Sequence, residues 1–258
     1  GEKIMEVYGR DFEVAIKPDE SPVTEADTLA EALITERLQA AFPDVTIIAE
    51  EAVAGGHAPE CGDKFFLVDP LDGSKEFIAR NGEFTVNIAL IHSGVPVAGV
   101  VYAPALGRIW WGAEGFGAWV AEVFDGAMEH RSAIAVRPEP AFGLTLVSSR
   151  SHGSEGDDDR LTAFNIADCA AVGSSLKFCL VAEGQADLYP RFGRTMEWDT
   201  AAGDAVLRAA GGSVLDLSGK PLLYGKRNQA DDCDFANCHF WALGDPALIS
   251  RLGFKPES

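Results

Sequence analysis

Basic residues are scarce: 21 lysines and arginines stand against 40 aspartates and glutamates in 258 residues, a formal net charge of -19. Such a field repels nucleic-acid polymers and anionic membrane surfaces, so neither is expected as a partner. Cysteine is sparse too, with five residues, an odd number, and no C-x-x-C pair. A complete disulfide framework is therefore not expected, and a reducing cytoplasm is the expected compartment, with a peripheral place at the inner membrane left open. No run approaches the roughly 20 apolar residues that span a bilayer. The opening residues lack a charged-then-apolar signal pattern, and no internal repeat or low-complexity tract occurs. What is plentiful is hydrophobic sequence, 47%, enough to bury a core of one large or two medium domains. The acidic excess is either a solvated surface or a set of carboxylates gathered around divalent cations, which would reverse the local field and admit an anionic ligand.

Periodicity divides the chain into two styles. Residues 2–8 read as a helix, followed by a polar turn from Lys17 to Pro22. Thr24 opens a second helix with Asp27 as capping partner, Leu29, Leu33, Leu38 and Phe42 on one face, and Pro43 as its stop. Short apolar runs at 45–49 and 65–68 read as buried strands, and both run straight into acids. Strands at 86–91, 95–102, 108–111 and 118–120 predict an antiparallel meander, and 124–132 reads as a polar connector. Thereafter strands at 144–147, 170–172, 186–189 and 214–217 alternate with helices at 158–166, 176–183 and 200–210. The expected organisation is an N-terminal α+β domain over 1–130 and a C-terminal α/β domain over 131–258, with any site at their junction.

The most informative stretch is Val68-Asp69-Pro70-Leu71-Asp72-Gly73-Ser74. Pro70 fixes one dihedral and Gly73 permits a tight turn, so both aspartates and the Leu71 carbonyl can face one point, three hard oxygens of the kind magnesium takes. A helix starting at Ser74 would offer the Gly73 and Ser74 amides to a phosphate. Taken alone the same residues also suit an Asx-turn and helix cap. Glu50-Glu51 closes another apolar strand and Asp199 opens a helix, and each has a plain alternative as solvated acid or N-cap. Against the acidic background, Arg150, His152, Lys177, Arg191 and Arg194 are candidate phosphate ligands, with the Ser174 and Ser175 hydroxyls beside them. His152 followed by Gly153 also fits an ordinary loop. His57, His92, His130 and His239 lack metal-ligand spacing, and Trp110, Trp111, Trp119 and Trp241 read as core or interface.

Asp69-Pro70-Leu71-Asp72-Gly73-Ser74, with Glu50-Glu51 and Glu197-Trp198-Asp199-Thr200-Ala201-Ala202-Gly203-Asp204, resembles the inositol monophosphatase superfamily. Ser148 to His152, Gly173 to Cys179 and Tyr189 to Thr195 resemble its 3'(2'),5'-bisphosphate nucleotidase branch. The resemblance implies a layered α-β-α-β-α sandwich and two or three magnesium ions per site. Glu50, Asp69 and the Leu71 carbonyl would hold one ion, and Asp69, Asp72 and Asp199 a second. It implies catalysis by Glu50 and by Ser74 paired with Asp27, where the capping role of Asp27 remains equally open. It implies hydrolysis of 3'-phosphoadenosine 5'-phosphate to AMP, inhibited by lithium, in a monomer or homodimer. Alternatives are inositol monophosphate or fructose bisphosphate as substrate, although Phe192 stands about where inositol-specific members carry a glutamate. A further alternative is a metal-binding scaffold without activity.

Overall fold

The computed structural model describes residues 1–17, 20–150 and 159–252. The first half builds one sheet of seven strands: β3 (Thr46–Ala49), β4 (Lys64–Asp72), β5 (Thr85–His92), β6 (Val95–Ala103), β7 (Arg108–Ala113), β8 (Gly117–Phe124) and β9 (Ala127–Ile134), adjacent in that order. Only β3 and β4 run parallel; the others pair antiparallel through short turns. The second half supplies β10 (Leu144–Ser149), β11 (Ile166–Val172), β12 (Leu188–Arg191), β14 (Ser213–Asp216) and β16 (Phe240–Leu243), ordered β11-β10-β12-β16-β14. Two small ribbons pair β1 (Val14–Ile16) with β2 (Pro22–Thr24), and β13 (Thr195–Met196) with β15 (Ala236–Asn237).

Helices fill the layers. α1 (Glu2–Tyr8) and α2 (Glu25–Ala41) pack together, with α2 against β4, while α5 (Leu176–Ala182) and α6 (Glu197–Ala209) contact strands of both sheets and form the middle layer. The outermost layer, expected to be helical, consists of 3-10 turns at Asp159–Ala163 and Pro246–Leu252. Layering is thus as the resemblance implies. The close fit of α6 depends on missing side chains: a Cβ on Gly99 would stand 2.5 Å from the Ala202 carbonyl, and one on Gly112 would stand 2.7 Å from Ala209 Cβ. The principal core cluster, from Ile48 and Trp110 to Phe178, Val206 and Phe240, belongs to both halves.

Three elements differ from expectation. Residues 127–134 form β9, an edge strand whose side chains are nearly all exposed, so no apolar alternation marks it; backbone pairing with β8 holds it, helped by Arg131 over the Trp119 ring and by Ile134 against the core. The helix expected at 158–166 is one 3-10 turn, and Ile166 already belongs to β11. In α2 the buried residues are Ala26, Asp27 and Ala30, while Leu29 and Leu33 are exposed; the close contact with α1 selects small residues.

Candidate active site

Strand topology brings the acids together. Because β3 and β4 are parallel with Ala49 opposite Val68, the residues that follow this pair, Glu50 at the end of β3 and Asp69 within β4, are brought together. Glu50 begins α3 (Glu50–Ala54), and Asp69 is 1% exposed. The β4–β5 pairing runs in register to Asp69 opposite Asn87, breaks, and resumes at Asp72 opposite Thr85. Pro70 and Leu71 are the unpaired arch, and the Leu71 N–H donates to Asp69 Oδ1 at 2.9 Å. Gly73 then turns with φ 92°, a conformation that favours glycine, and a Cβ there would also press at 3.3 Å on Glu76, Glu83 and Ser174. It caps α4 (Ser74–Ile78). Asp199 comes from the first turn of α6, where its Oδ2 accepts the Met196 N–H at 2.8 Å.

Charge shows that these groups feel one another. Burial, then the charges of Glu50, Asp72 and Asp199, hold the Asp69 carboxyl well above the ordinary carboxylate range. Asp199 is raised in the same way by burial, Asp72 and Glu50. Burial also raises Glu50, against the opposing pull of Lys17. Lys17 Nζ stands 2.7 Å from Glu50 Oε1 and 2.6 Å from Glu51 Oε1. Among the described residues no three acids form a closed ligand cage; protein donors hold them instead. As a donor set they nevertheless fit a divalent cation, being mutually repelling hard oxygens, with Asp69 buried and Glu50, Asp72 and Asp199 half-buried.

Other candidates distribute unevenly. Ser74 Oγ donates to Asp27 Oδ1 at 3.4 Å, while Asp27 Oδ2 accepts the N–H and hydroxyl of Thr24, each at 2.8 Å, so capping and pairing coexist on one carboxylate. A cleft of about 750 Å³ is lined by Glu50, Asp72, Gly73, Ser74, Ser174, Lys177, Arg191, Arg194 and Asp199 among others. Lys177, 5% exposed, donates to the Ser174 carbonyl at 2.6 Å, and Arg191 donates to the Arg194 carbonyl at 3.2 Å. Arg194 also meets Asp232 at 3.1 Å and Cys233 Sγ at 2.7 Å. Ser175 is buried below the cleft, bonded to the Asp199 carbonyl at 2.7 Å. Arg150 is turned away, forked onto Glu83 at 2.7 Å, and His152 lies outside the described residues. Phe192 packs edge-on to Trp241 beneath the Arg160 guanidinium, in the second core cluster. Trp110 and Trp241 are buried core residues, as expected.

Sequence reasoning passed over Lys17, Glu31, Thr85 and Asn87. Glu31 accepts the Glu51 and Ala52 N–H groups at 2.7 and 2.9 Å and so caps α3 from α2. Thr85 and Asn87 did carry a signal: two polar residues at alternate positions of an otherwise apolar strand occupy one buried face. Lys17 carried none, because its turn is polar throughout.

The inositol monophosphatase family model matches residues 1–233. The 3'(2'),5'-bisphosphate nucleotidase CysQ of Escherichia coli (strain K12) is 48% identical over 229 residues, 88% of this chain and 90% of that protein. The CysQ of Buchnera aphidicola is 41% identical over 94% of this chain and 88% of its own length. Among solved structures, CysQ from Bacteroides thetaiotaomicron superposes with a TM-score of 0.77 at 38% identity, covering 94% of this chain and 92% of that one. The Thermotoga maritima IMPase gives 0.73 at 25%, covering 98% and 91%. The chain belongs to the inositol monophosphatase family.

Proposed function

We propose that this chain is a magnesium-dependent phosphomonoesterase that hydrolyses 3'-phosphoadenosine 5'-phosphate to AMP and phosphate. One observation carries the reading: Glu50, Asp72 and Asp199, with the buried Asp69 that their charges act on, stand on a cleft whose other walls bring Lys177, Arg191 and Arg194. An anion enters such a place only with a cation to reverse the field. Relatives named as bisphosphate nucleotidases at up to 48% identity support the substrate class.

Bound magnesium supplies an activated water and neutralises charge on the leaving oxygen; Glu50, Asp69, Asp72, Asp199 and the Leu71 carbonyl are the residues that would hold it. The chain's own part is orientation and proton transfer. Asp27, fixed by Thr24, accepts from Ser74 Oγ, so that as the water oxygen attacks phosphorus its proton passes to Ser74 while the Ser74 proton passes to Asp27, and the bond between phosphorus and the ribose 3' oxygen breaks. The released ribose oxygen takes up a proton from solvent. Gly73 and Ser74 present backbone amides to the phosphate, and Lys177 and Arg191 hold the second phosphate. Phe192, packed in the second core cluster, places no carboxylate where an inositol hydroxyl would need one.

Phosphate release from the bisphosphorylated nucleotide, inositol 1-phosphate and fructose 1,6-bisphosphate, each with magnesium, chelator and lithium, tests this. The expected result is turnover of the nucleotide with magnesium, abolished by chelator and reduced by lithium. Preferential turnover of either other substrate would replace the substrate assignment, and no turnover of any would favour a silent scaffold.

A further inference from the structure

Asp72 is the candidate ligand whose orientation is most fully set by its neighbours. Its Oδ2 accepts from Ser174 Oγ at 2.7 Å, from Asn87 Nδ2 at 3.3 Å and, at 3.1 Å, from Ser175 Oγ, whose single proton is shared with the Asp199 carbonyl at 2.7 Å; among the described residues no hydrogen bond reaches Oδ1. Two of these donors come from the second half of the chain and one from the first. Asn87, 1% exposed on β5, joins them: its Nδ2 also donates to Ser175 Oγ at 2.9 Å, and its Oδ1 accepts the Thr85 hydroxyl at 3.0 Å.

An amide group has a donor end and an acceptor end of nearly equal size, and its surroundings alone decide which way it faces. A carboxylate at Asp72 only accepts, so Nδ2 must face it, while Thr85 holds the opposite end. The serine turn needs such fastening. Ser174 has φ 56°, a left-handed conformation unfavourable to a residue with a side chain. The turn is tied on three sides: Glu83 accepts the Gly173 N–H at 2.8 Å, Lys177 donates to the Ser174 carbonyl, and Asn87 donates to Ser175. Thr85 also touches the Ser174 hydroxyl.

We propose that Asn87 is a positioning residue for the reaction: with its donor end set by Asp72 and its acceptor end held by Thr85, it locks Ser175 and Asp72 together across the two halves and keeps Asp72 Oδ1 for magnesium. The inference rests on the reading of Asp72 as a magnesium ligand. It gives Ser174 a first duty as donor to Asp72 and divides Ser175 between Asp72 and the Asp199 carbonyl, ahead of any contact with substrate.

The test titrates magnesium alone calorimetrically into the wild type, Asn87→Ala, Thr85→Val and Thr85→Ser, and records the metal-free Tm of each. Asn87→Ala is expected to bind magnesium roughly tenfold more weakly, the scale of losing hydrogen bonds to a charged group. Thr85→Val should show a smaller loss and Thr85→Ser the wild-type affinity. A role confined to packing would lower the metal-free Tm and leave magnesium affinity unchanged, and that result overturns the proposal. If Asn87→Ala does not fold, equal affinities in Thr85→Val and Thr85→Ser overturn it in the same way. Absence of magnesium uptake by the wild type would overturn the assignment of Asp72 as a ligand, and the proposal with it.

Discussion

Asp69 illustrates how a residue that folding disfavours becomes the centre of a site. Buried among three other acids, it holds its proton to a higher pH than the unfolded chain does, and Asp199 does the same. Between about pH 4, where an unfolded aspartate titrates, and these raised native values, the native state binds more protons than the unfolded one. Stability of the metal-free protein therefore falls as pH rises through that window. Thermal unfolding in chelator at pH 5 and pH 8 should give the lower Tm at pH 8, and magnesium should raise Tm more at pH 8 than at pH 5. Lys17, 8% exposed between Glu50 and Glu51, is the nearest protein cation that offsets the repulsion. Replacing it in Lys17→Met should destabilise the metal-free protein by about 3 kcal/mol, as removing one partner of a buried pair does, with part of the loss recovered in magnesium; denaturant unfolding with and without the ion measures both. Asp72→Asn keeps an acceptor for the serine hydroxyls and removes a ligand charge. Turnover should fall by more than the roughly 10- to 100-fold that changes beyond the ligands cost, with the circular dichroism spectrum unchanged.

At the scale of elements, α3 shows why precise placement has been built from outside. A helix of five residues cannot sustain itself, so the Glu31 carboxylate from α2 takes its first free N–H groups and fixes the direction in which Glu50 points. Glu31→Ala should cost about 1 kcal/mol, the worth of a cap, and weaken magnesium binding measured calorimetrically. The elements legible in the sequence are those whose side chains report on burial: α2 with its Thr24–Asp27 cap, the meander from β5 to β8, and α6, which starts at Glu197 rather than Thr200. β9 was illegible because an edge strand exposed on both sides has no alternation to read. The exposed Leu29 and Leu33 show the converse, since spacing alone does not tell which face meets a neighbour. The Asp69-to-Ser74 turn was legible because Pro70 and Gly73 set its shape and because Glu50-Glu51 and Asp199 elsewhere in the chain supplied the company that an Asx-turn and helix cap would not need. The network behind it was not, since Asn87 and Thr85 matter only through the register that sets them opposite Asp69 and Asp72.

Across the whole molecule, the two halves are separate in topology and joined in their core. We propose that the exchange between them follows Ile134, where β9 completes the seven-stranded sheet, and that neither half folds alone, because the principal core cluster draws on both. Unfolding followed by tryptophan fluorescence and by far-ultraviolet circular dichroism should show one coincident transition; two transitions would divide the core. The same union makes α6 a rigid strut carrying Asp199 to the acids of the first half, seated on Gly99 and Gly112. The central claim is that four carboxylates from residues 50 to 199 share divalent cations in one place. Crystals grown with manganese, mapped by anomalous diffraction, test it most directly. The account predicts a peak within ligand distance of both Asp69 and Asp72, and manganese bound only elsewhere on this acidic surface would contradict it.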